Sequence, residues 1–334
     1  MKKNCLPTSE LLPSHIAHLT FTYWGVPLRA AIVYTSLMPV RVAYLNGHWI
    51  DDATLAIPVA DLGFAMGVTV TERLRTFGGN VFRQAEHVAR MRRSLEIVGL
   101  PVLIADEIDA AIGEFMARNG SLGEPDDDWS VVAFATPGSG GPPTVCVHGY
   151  PLPFHTWAAQ YETGVPVWVS NVRQVPTNCW PAELKCRSRM HYYLADQEAR
   201  AHEPQARTIL LDQEGFVGEA STANLVIYSN SEGLLTPRFS KVLPGVTVSV
   251  VEELAGNLQI PFHQRDITLA ELESADEVWL TSTSVCVLPV VRCNNAPIAT
   301  GTPGSIYRKM LPAWSNLVGV NVAEQARRRS GFPA

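Results

Sequence analysis

No stretch of this chain is apolar for long enough to cross a bilayer, which takes about 20 consecutive residues. The most apolar early segment, residues 16–40, is broken by Pro27 and Arg29. A signal-peptide core is missing too: Lys2 and Lys3 are followed by Pro7, Glu10, Pro13, His15 and His18 rather than by an apolar run. An excess of positive charge is also lacking. The 26 Lys and Arg residues face 32 Asp and Glu, a net charge of −6, which argues against the basic field of a nucleic-acid binder. None of the six cysteines (Cys5, Cys146, Cys179, Cys186, Cys286 and Cys293) forms a C-x-x-C pair, and no Cys/His group has zinc spacing. The nine histidines are dispersed. No metal site is expected, and the cysteines read as free thiols of a reducing cytoplasm. Repeats and low-complexity tracts are absent.

What is present suits one large domain or two of ordinary size: 334 residues, 46% of them apolar. A clean strand pattern begins only after Met38. Residues 1–37 are therefore expected to be a poorly ordered extension or a wrongly assigned start. Val42 to Trp49 reads as a hairpin turning at Asn46-Gly47. Val68 to Phe77 reads as a strand, and Gly78-Gly79-Asn80 turns it back. The period then changes. Val88, Met91, Leu95 and Val98 recur at helical spacing, and a second helix is expected over 105–118. Strands follow at 129–136 and 145–150. A connector over 156–164 then separates an N-terminal domain, 38–155, from a C-terminal domain, 165–325. The second domain should hold a helix after Lys185, with Met190, Leu194, Gln197 and Ala201 along one side. It should also hold strands near 208–211, 216–219, 224–228, 277–281 and 285–291, and helices near 247–258 and 305–318. The fold class is α/β or α+β in two domains, with a ligand cleft between them.

Five segments carry candidate chemistry. Lys185 stands in Glu183-Leu-Lys185-Cys-Arg187-Ser-Arg189, where neighbouring arginines favour the neutral amine that imine chemistry needs. Glu219 lies in Gly218-Glu219-Ala220-Ser221-Thr222-Ala223-Asn224. A carboxylate there suits a pyridine nitrogen, which it would keep protonated. Leu243-Pro244-Gly245-Val246-Thr247 runs into a helix, and free N–H groups at a helix start suit a phosphate. Arg90, in His87-Val-Ala-Arg90, offers a bidentate guanidinium. Thr281-Ser282-Thr283-Ser284 places four hydroxyls at a strand end. Each segment also has an ordinary structural reading when taken alone.

Their order and spacing resemble the fold-type IV enzymes that use pyridoxal 5′-phosphate (PLP), the class IV aminotransferases. Lys185 follows Arg90 by 95 residues, Glu219 lies 34 further on, and Pro244 a further 25. The likeness covers about residues 40 to 320. That family includes branched-chain and D-amino-acid aminotransferases, (R)-amine transaminases and aminodeoxychorismate lyase. The resemblance implies that the cofactor lies in the cleft between a smaller N-terminal and a larger C-terminal domain. It implies that Lys185 is the Schiff-base lysine and that Glu219 pairs with the pyridine nitrogen. Arg90, Val246, Thr247 and Thr283 would hold the phosphate, and Ser284 would lie near the substrate carboxylate. Charge alone makes Arg75 and the group Arg73, Arg187 and Arg189 further candidates for a carboxylate. The sequence departs from the family pattern at three places. Thr71 stands where an aromatic is common, Met190 replaces a tyrosine that in the branched-chain enzymes touches the cofactor's phenolic oxygen, and Thr222-Ala223-Asn224 replaces Gly-Glu-Asn.

The activity implied is a ping-pong transfer of an amino group between an amino acid, branched-chain as first guess, and a 2-oxo acid, with freed Lys185 moving the proton. Alternatives within the family are a D-amino-acid aminotransferase and an aminodeoxychorismate-type lyase. A non-enzymatic alternative is a degenerate homologue that only binds PLP. The expected partners are small amino and 2-oxo acids and a second copy of the chain in a homodimer, with no nucleic acid and no membrane. The expected location is the cytoplasm.

Overall fold

The structure is a computed structural model that describes residues 17–23, 26–32, 40–124 and 127–331. The chain divides into two compact units, Met1–Val40 and Arg41–Ala334. In the first unit, β1 (Ala17–Tyr23) and β2 (Val26–Ile32) pair antiparallel, from Ala17 opposite Ile32 to Tyr23 opposite Val26. The sequence reading places the first strand only after Met38, whereas this hairpin precedes it. The rest of the 1–37 segment lies outside the described residues.

The second unit contains two sheets, each with its own core. The smaller is built from β3 (Val42–Leu45), β4 (His48–Asp51), β5 (Val70–Phe77), β6 (Asn80–Val81), β7 (Trp129–Thr136) and β8 (Thr144–Pro151). Their order is β4-β3-β8-β7-β5-β6. Asn46 and Gly47 turn β3 into β4 with φ of 49° and 85°, the left-handed pair that a tight hairpin requires. A short helix, α1 (Leu62–Ala65), precedes β5, and α2 (Gln84–Ile97) and α3 (Ile104–Asn119) cover one face. Side chains alternate across a strand. Val70 and Leu74 of β5, Val131 and Ala133 of β7 and Val147 of β8 therefore point at Met91, Leu95, Ile108, Ile112 and Phe115 of the helices. The other face carries Thr71, Arg73 and Arg75 of β5, opposite Phe134, Val132 and Ser130 of β7.

The larger layer begins with α4 (Gln160–Thr163) and β9 (Val165–Arg173). Then come α5 (Met190–His202), β10 (Arg207–Leu211), β11 (Val217–Ala220), β12 (Asn224–Ser229), β13 (Gly233–Thr236), α6 (Val246–Asn257), β14 (Phe262–Gln264) and α7 (Leu269–Glu273). The chain ends with β15 (Glu277–Ser282), β16 (Cys286–Cys293), β17 (Ala296–Pro297), α8 (Tyr307–Val318) and α9 (Val322–Arg329). The order is β11-β10-β9-β16-β15-β12-β13-β14, with β17 on β16. Strand β9 pairs parallel with β10 and β16, while β12, β15 and β16 pair antiparallel. Its core joins Ile209, Leu225, Leu280 and Leu288 to Val248, Val251, Met310 and Trp314.

The helices and strands expected from residue 42 onward are found, with ends shifted by a few residues. The structure adds β13, β14, α7 and α9, which are too short or too weakly patterned to stand out. In the segment 156–164, Trp157 and Tyr161 are buried in the larger core. Helix α5 packs on β9 and β10 through Ala195 and Ala199, and the expected stripe faces outward, with Met190 71% and Leu194 50% exposed.

Candidate active site

Lys185 is held by three backbone bonds. Thr71 N–H donates to its carbonyl at 3.0 Å, Arg187 N–H donates to the Thr69 carbonyl at 2.9 Å, and the Lys185 N–H donates to Ser94 Oγ at 3.2 Å. The segment is thereby laid along the start of β5 and against α2. The side chain lines a cavity of about 430 Å³ between the two sheets. Burial, reinforced by the Arg90 guanidinium, pushes the Lys185 amine down to about 7, against the opposing pull of Glu72. Among the described residues, Nζ has no hydrogen-bond partner.

One end of the cavity is an anion cradle. Arg90 projects from α2, where Glu72 of β5 grips it twice: Nε to Oε1 at 2.8 Å and Nη2 to Oε2 at 2.9 Å. His87 Nδ1 meets the same carboxylate at 2.8 Å. Burial alone would raise the Glu72 carboxyl, but Arg90 holds it well below the usual carboxylate range, so the pair stays ionised. Burial pushes the His87 imidazole down. Arg90 Nη1 donates to the Pro244 carbonyl at 3.0 Å, which ties the guanidinium to the start of α6. That helix has no side-chain cap, which leaves its first N–H groups without one, and its first residues Val246 and Thr247 line the cavity. Asn224 Nδ2 donates to the Leu243 carbonyl at 2.8 Å, and a Cβ on Gly245 would overlap Asn224 Oδ1. Only glycine allows that approach. Asn224 is also the ladder partner of Thr281, which brings the Thr281–Ser284 hydroxyls to the same end. Thr281 Oγ1 is buried without a partner among the described residues.

Glu219 lies on β11 with its side chain buried. Its Oε1 accepts from Tyr192 Oη and, at 2.8 Å, from Gln174 Nε2, and the Leu243 N–H reaches Oε2 at 3.3 Å. Burial raises its proton affinity, and these hydrogen bonds oppose the rise. Glu219 and Lys185 also attract each other electrostatically.

The structure thus brings Lys185, Arg90, Glu219, Val246, Thr247, Thr283 and Ser284 around one cavity. Two expected substrate residues are elsewhere. Arg75 is 1% exposed. It donates to the Ser284 carbonyl at 2.8 Å and pairs with buried Asp128 at 3.6 Å, and its guanidinium stacks 3.9 Å from the Phe77 ring centroid. It does not line the cavity, because its guanidinium is taken up by these buried partners where the two sheets pack. Met190 opens α5 on the solvent side and does not line the cavity. Sequence reasoning missed Glu72, Gln174, Tyr192 and Asn224. Of these, Glu72, Tyr192 and Asn224 sat beside residues that attracted notice, and Gln174 did not. Thr71, in the place of an aromatic, has its hydroxyl on the Ala133 carbonyl at 2.9 Å.

The model of the family "Amino-transferase class IV" matches residues 69–293. The chain belongs to the class IV aminotransferases. It is 27% identical to a putative branched-chain-amino-acid aminotransferase of Methanocaldococcus jannaschii, over 80% of this chain and 93% of that protein. It is 32% identical to a probable branched-chain-amino-acid aminotransferase of Thermotoga maritima, over 72% and 83%, and 24% identical to a D-alanine aminotransferase of Bacillus licheniformis, over 82% and 95%. Among solved structures, the branched-chain aminotransferase of Escherichia coli superposes with a TM-score of 0.77 at 24% identity, covering 84% of this chain and 95% of that one. A second branched-chain aminotransferase, from T.th. and solved with pyridoxamine 5′-phosphate, superposes with a TM-score of 0.74 at 25% identity and the same coverage. This class IV aminotransferase therefore has the two-sheet fold of its fold-type IV relatives.

Proposed function

We propose that this chain transfers amino groups between an amino acid and a 2-oxo acid with PLP held at Lys185. The observation that carries the reading is one cavity with three complementary parts: an amine lowered to about 7, a buried carboxylate, and an anion cradle. These residues fit the cofactor. Arg90 has N–H groups left over after serving Glu72 and Pro244, the N–H groups at the start of α6 are uncapped, and the buried Thr281 hydroxyl is unpartnered. Together with Thr247 and Thr283 they would hold the phosphate. Glu219, steadied by Tyr192 and Gln174, would hold the ring nitrogen. When bound, PLP supplies an electron sink for charge developing at the substrate α-carbon. Lys185 Nζ, neutral in a large fraction of molecules at pH 7, takes the α-proton and returns it.

We assign the small-sheet domain to 38–155 and the large-sheet domain to 165–325, with 156–164 linking them. A homodimer is supported by Val59, Phe64 and Met66, apolar residues in and beside α1 that are 79%, 74% and 71% exposed, since exposed apolar surface marks interaction sites where it is contiguous. Among the described residues no helix is long and apolar enough to cross a membrane. The free cysteines, including buried Cys146, Cys286 and Cys293, fit the reducing cytoplasm.

The test is spectroscopic and kinetic. Adding PLP to the purified chain should produce a visible absorption band that Lys185→Ala lacks. A panel of L- and D-amino acids, headed by the branched-chain donors that name several relatives, should then give more than one equivalent of the matching 2-oxo acids per site only when an acceptor such as 2-oxoglutarate is present. A wild type without the band, or turnover without an acceptor, overturns the reading.

A further inference from the structure

Glu219 is a buried carboxylate with no ion-pair partner among the described residues, and its hydrogen bonds come from neutral donors. Oε1 takes two of them, Tyr192 Oη and Gln174 Nε2 at 2.8 Å, while Oε2 takes the Leu243 N–H at 3.3 Å. A carboxylate oxygen has about two acceptor sites. Oε1 is therefore filled, and Oε2 keeps room for one more donor. The Gln174 amide also donates to Tyr192 Oη at 3.3 Å, so the phenol accepts on one side and donates to the carboxylate on the other. Turning that amide over would set its oxygen against Glu219, an arrangement an anion forbids.

Tyr192 reaches this carboxylate because of its place on α5. Residues three and four apart share a helix face. Tyr192, Ala195 and Ala199 lie on the face that packs on β9 and β10, whereas Met190, Tyr193 and Leu194 are turned to solvent. At the end of that row Tyr192 meets Gln174, which follows β9, and Glu219 on β11. Its ring rests on the His191 imidazole, with centroids 4.0 Å apart. Burial, then the charge of Glu219, hold the phenol well above its ordinary value, so at neutral pH it keeps the proton it donates. Burial raises Glu219 as well. Among the contacts that oppose that rise the Tyr192 hydrogen bond is the largest, ahead of Gln174, Leu243 and Lys185.

We propose that Tyr192 is a positioning residue of this site: its phenol fills Oε1 of Glu219, leaves Oε2 for the ring nitrogen of bound PLP, and keeps the carboxylate an anion, so that the nitrogen carries the proton the two share. This deepens the aminotransferase reading of the Lys185 cavity and rests on it. Groups at a ring nitrogen tune the electronics of a cofactor. Without the phenol, the burial that raises Glu219 would draw the proton off the ring and weaken the electron sink.

The experiment loads the purified chain with PLP carrying an NMR-active nitrogen isotope in its ring, and reads whether that nitrogen is protonated. The visible band reports separately that each protein folds and loads. Glu219→Gln marks the neutral position, and the wild type should lie at the protonated one. In Tyr192→Phe, which keeps the ring on His191, the ratio of protonated to neutral nitrogen should fall about tenfold, as loss of one hydrogen bond to a charged group gives. Tyr192→Phe/Gln174→Leu, which empties Oε1, should fall further. A Tyr192→Phe signal at the wild-type position overturns the proposal even where the Tm drops, because a merely structural residue would move the Tm and leave the ring proton in place. If Tyr192→Phe does not load, Gln174→Leu takes its place: it removes the other donor to Oε1 and the donor to the phenol. A shift toward neutral there supports the proposal, and an unmoved signal overturns it, as does a neutral ring in the wild type. All these results leave the aminotransferase reading standing while the band is present. A wild type without the band overturns both.

Discussion

At the scale of the residue, Lys185 depends most on its surroundings. An exposed lysine is protonated until about pH 10.4, and this one is lowered to about 7. Capture of PLP needs the neutral amine. The rate at which the visible band forms should therefore climb about tenfold per unit below pH 6 and level off above pH 8. Stopped-flow absorbance measures it, and a flat profile between pH 5 and 8 would contradict the lowered amine. Stability carries the same signature. Between pH 7 and about 10.4 the unfolded lysine holds a proton that the folded one has released, so stability rises with pH across that window. Lys185→Met removes this cost, and should raise the Tm of the cofactor-free protein at pH 7 by a few degrees. Little of this was legible around Lys185 itself. Its neighbours Arg187 and Arg189 hinted at a depressed amine, but burial and Arg90, 95 residues away, do most of the lowering. What the sequence did reveal was the order of distant anchors, because each anchor carries a local motif, and the Val246-Thr247 one also opens α6.

At the scale of the element, the start of α6 shows how a loop is held in place for anion binding. Pro244 presents its carbonyl to Arg90, Asn224 holds the Leu243 carbonyl, and Gly245 leaves room for Asn224. Gly245→Ala would drive its Cβ into Asn224 Oδ1, so the loop must move and carry the Arg90 contact with it. Overpacking of this kind costs about 1–3 kcal/mol. PLP titration followed by absorbance should show at least about tenfold weaker binding, and unchanged affinity would mean that the loop plays no part in holding the cofactor. The Pro-Gly-x-Thr motif announced this element. The orientation of α5 was less legible. Its apolar residues Met190 and Leu194 invite burial, yet the sheet accepts Ala195 and Ala199, small residues that let helix and strands approach closely. Periodicity reports that a helix has faces. Which face packs is decided by the partner surface, and that surface comes from β9 and β10.

At the scale of the whole molecule, the cavity exists only because the two sheets are locked together, and Arg75 is a principal lock. From β5 it reaches the Ser284 carbonyl beside β16, Gln325 of α9 and Asp128 before β7. Asp128 in turn accepts from Thr76 Oγ1 at 2.7 Å and from Gln325 Nε2 at 2.8 Å. The sequence reading placed Arg75 at the substrate because its charge suggested a carboxylate. The carboxylate it meets belongs to the protein, and only the packing of one sheet on the other could reveal that. Removing one partner of a buried pair strands the other charge, at a cost of about 3–5 kcal/mol. Arg75→Met should therefore lower the unfolding free energy in urea by about that amount, and Arg75→Met/Asp128→Asn should recover part of it by removing the stranded carboxylate. The same single variant frees the Ser284 carbonyl, so the hydroxyl loop at the cavity loses its tether. Substrate KM should rise with kcat much less affected, since Lys185 and the cradle keep their own supports. A double variant no more stable than Arg75→Met would show that Asp128 is satisfied by Thr76 and Gln325 alone, and that the lock lies in the Ser284 contact rather than in the ion pair.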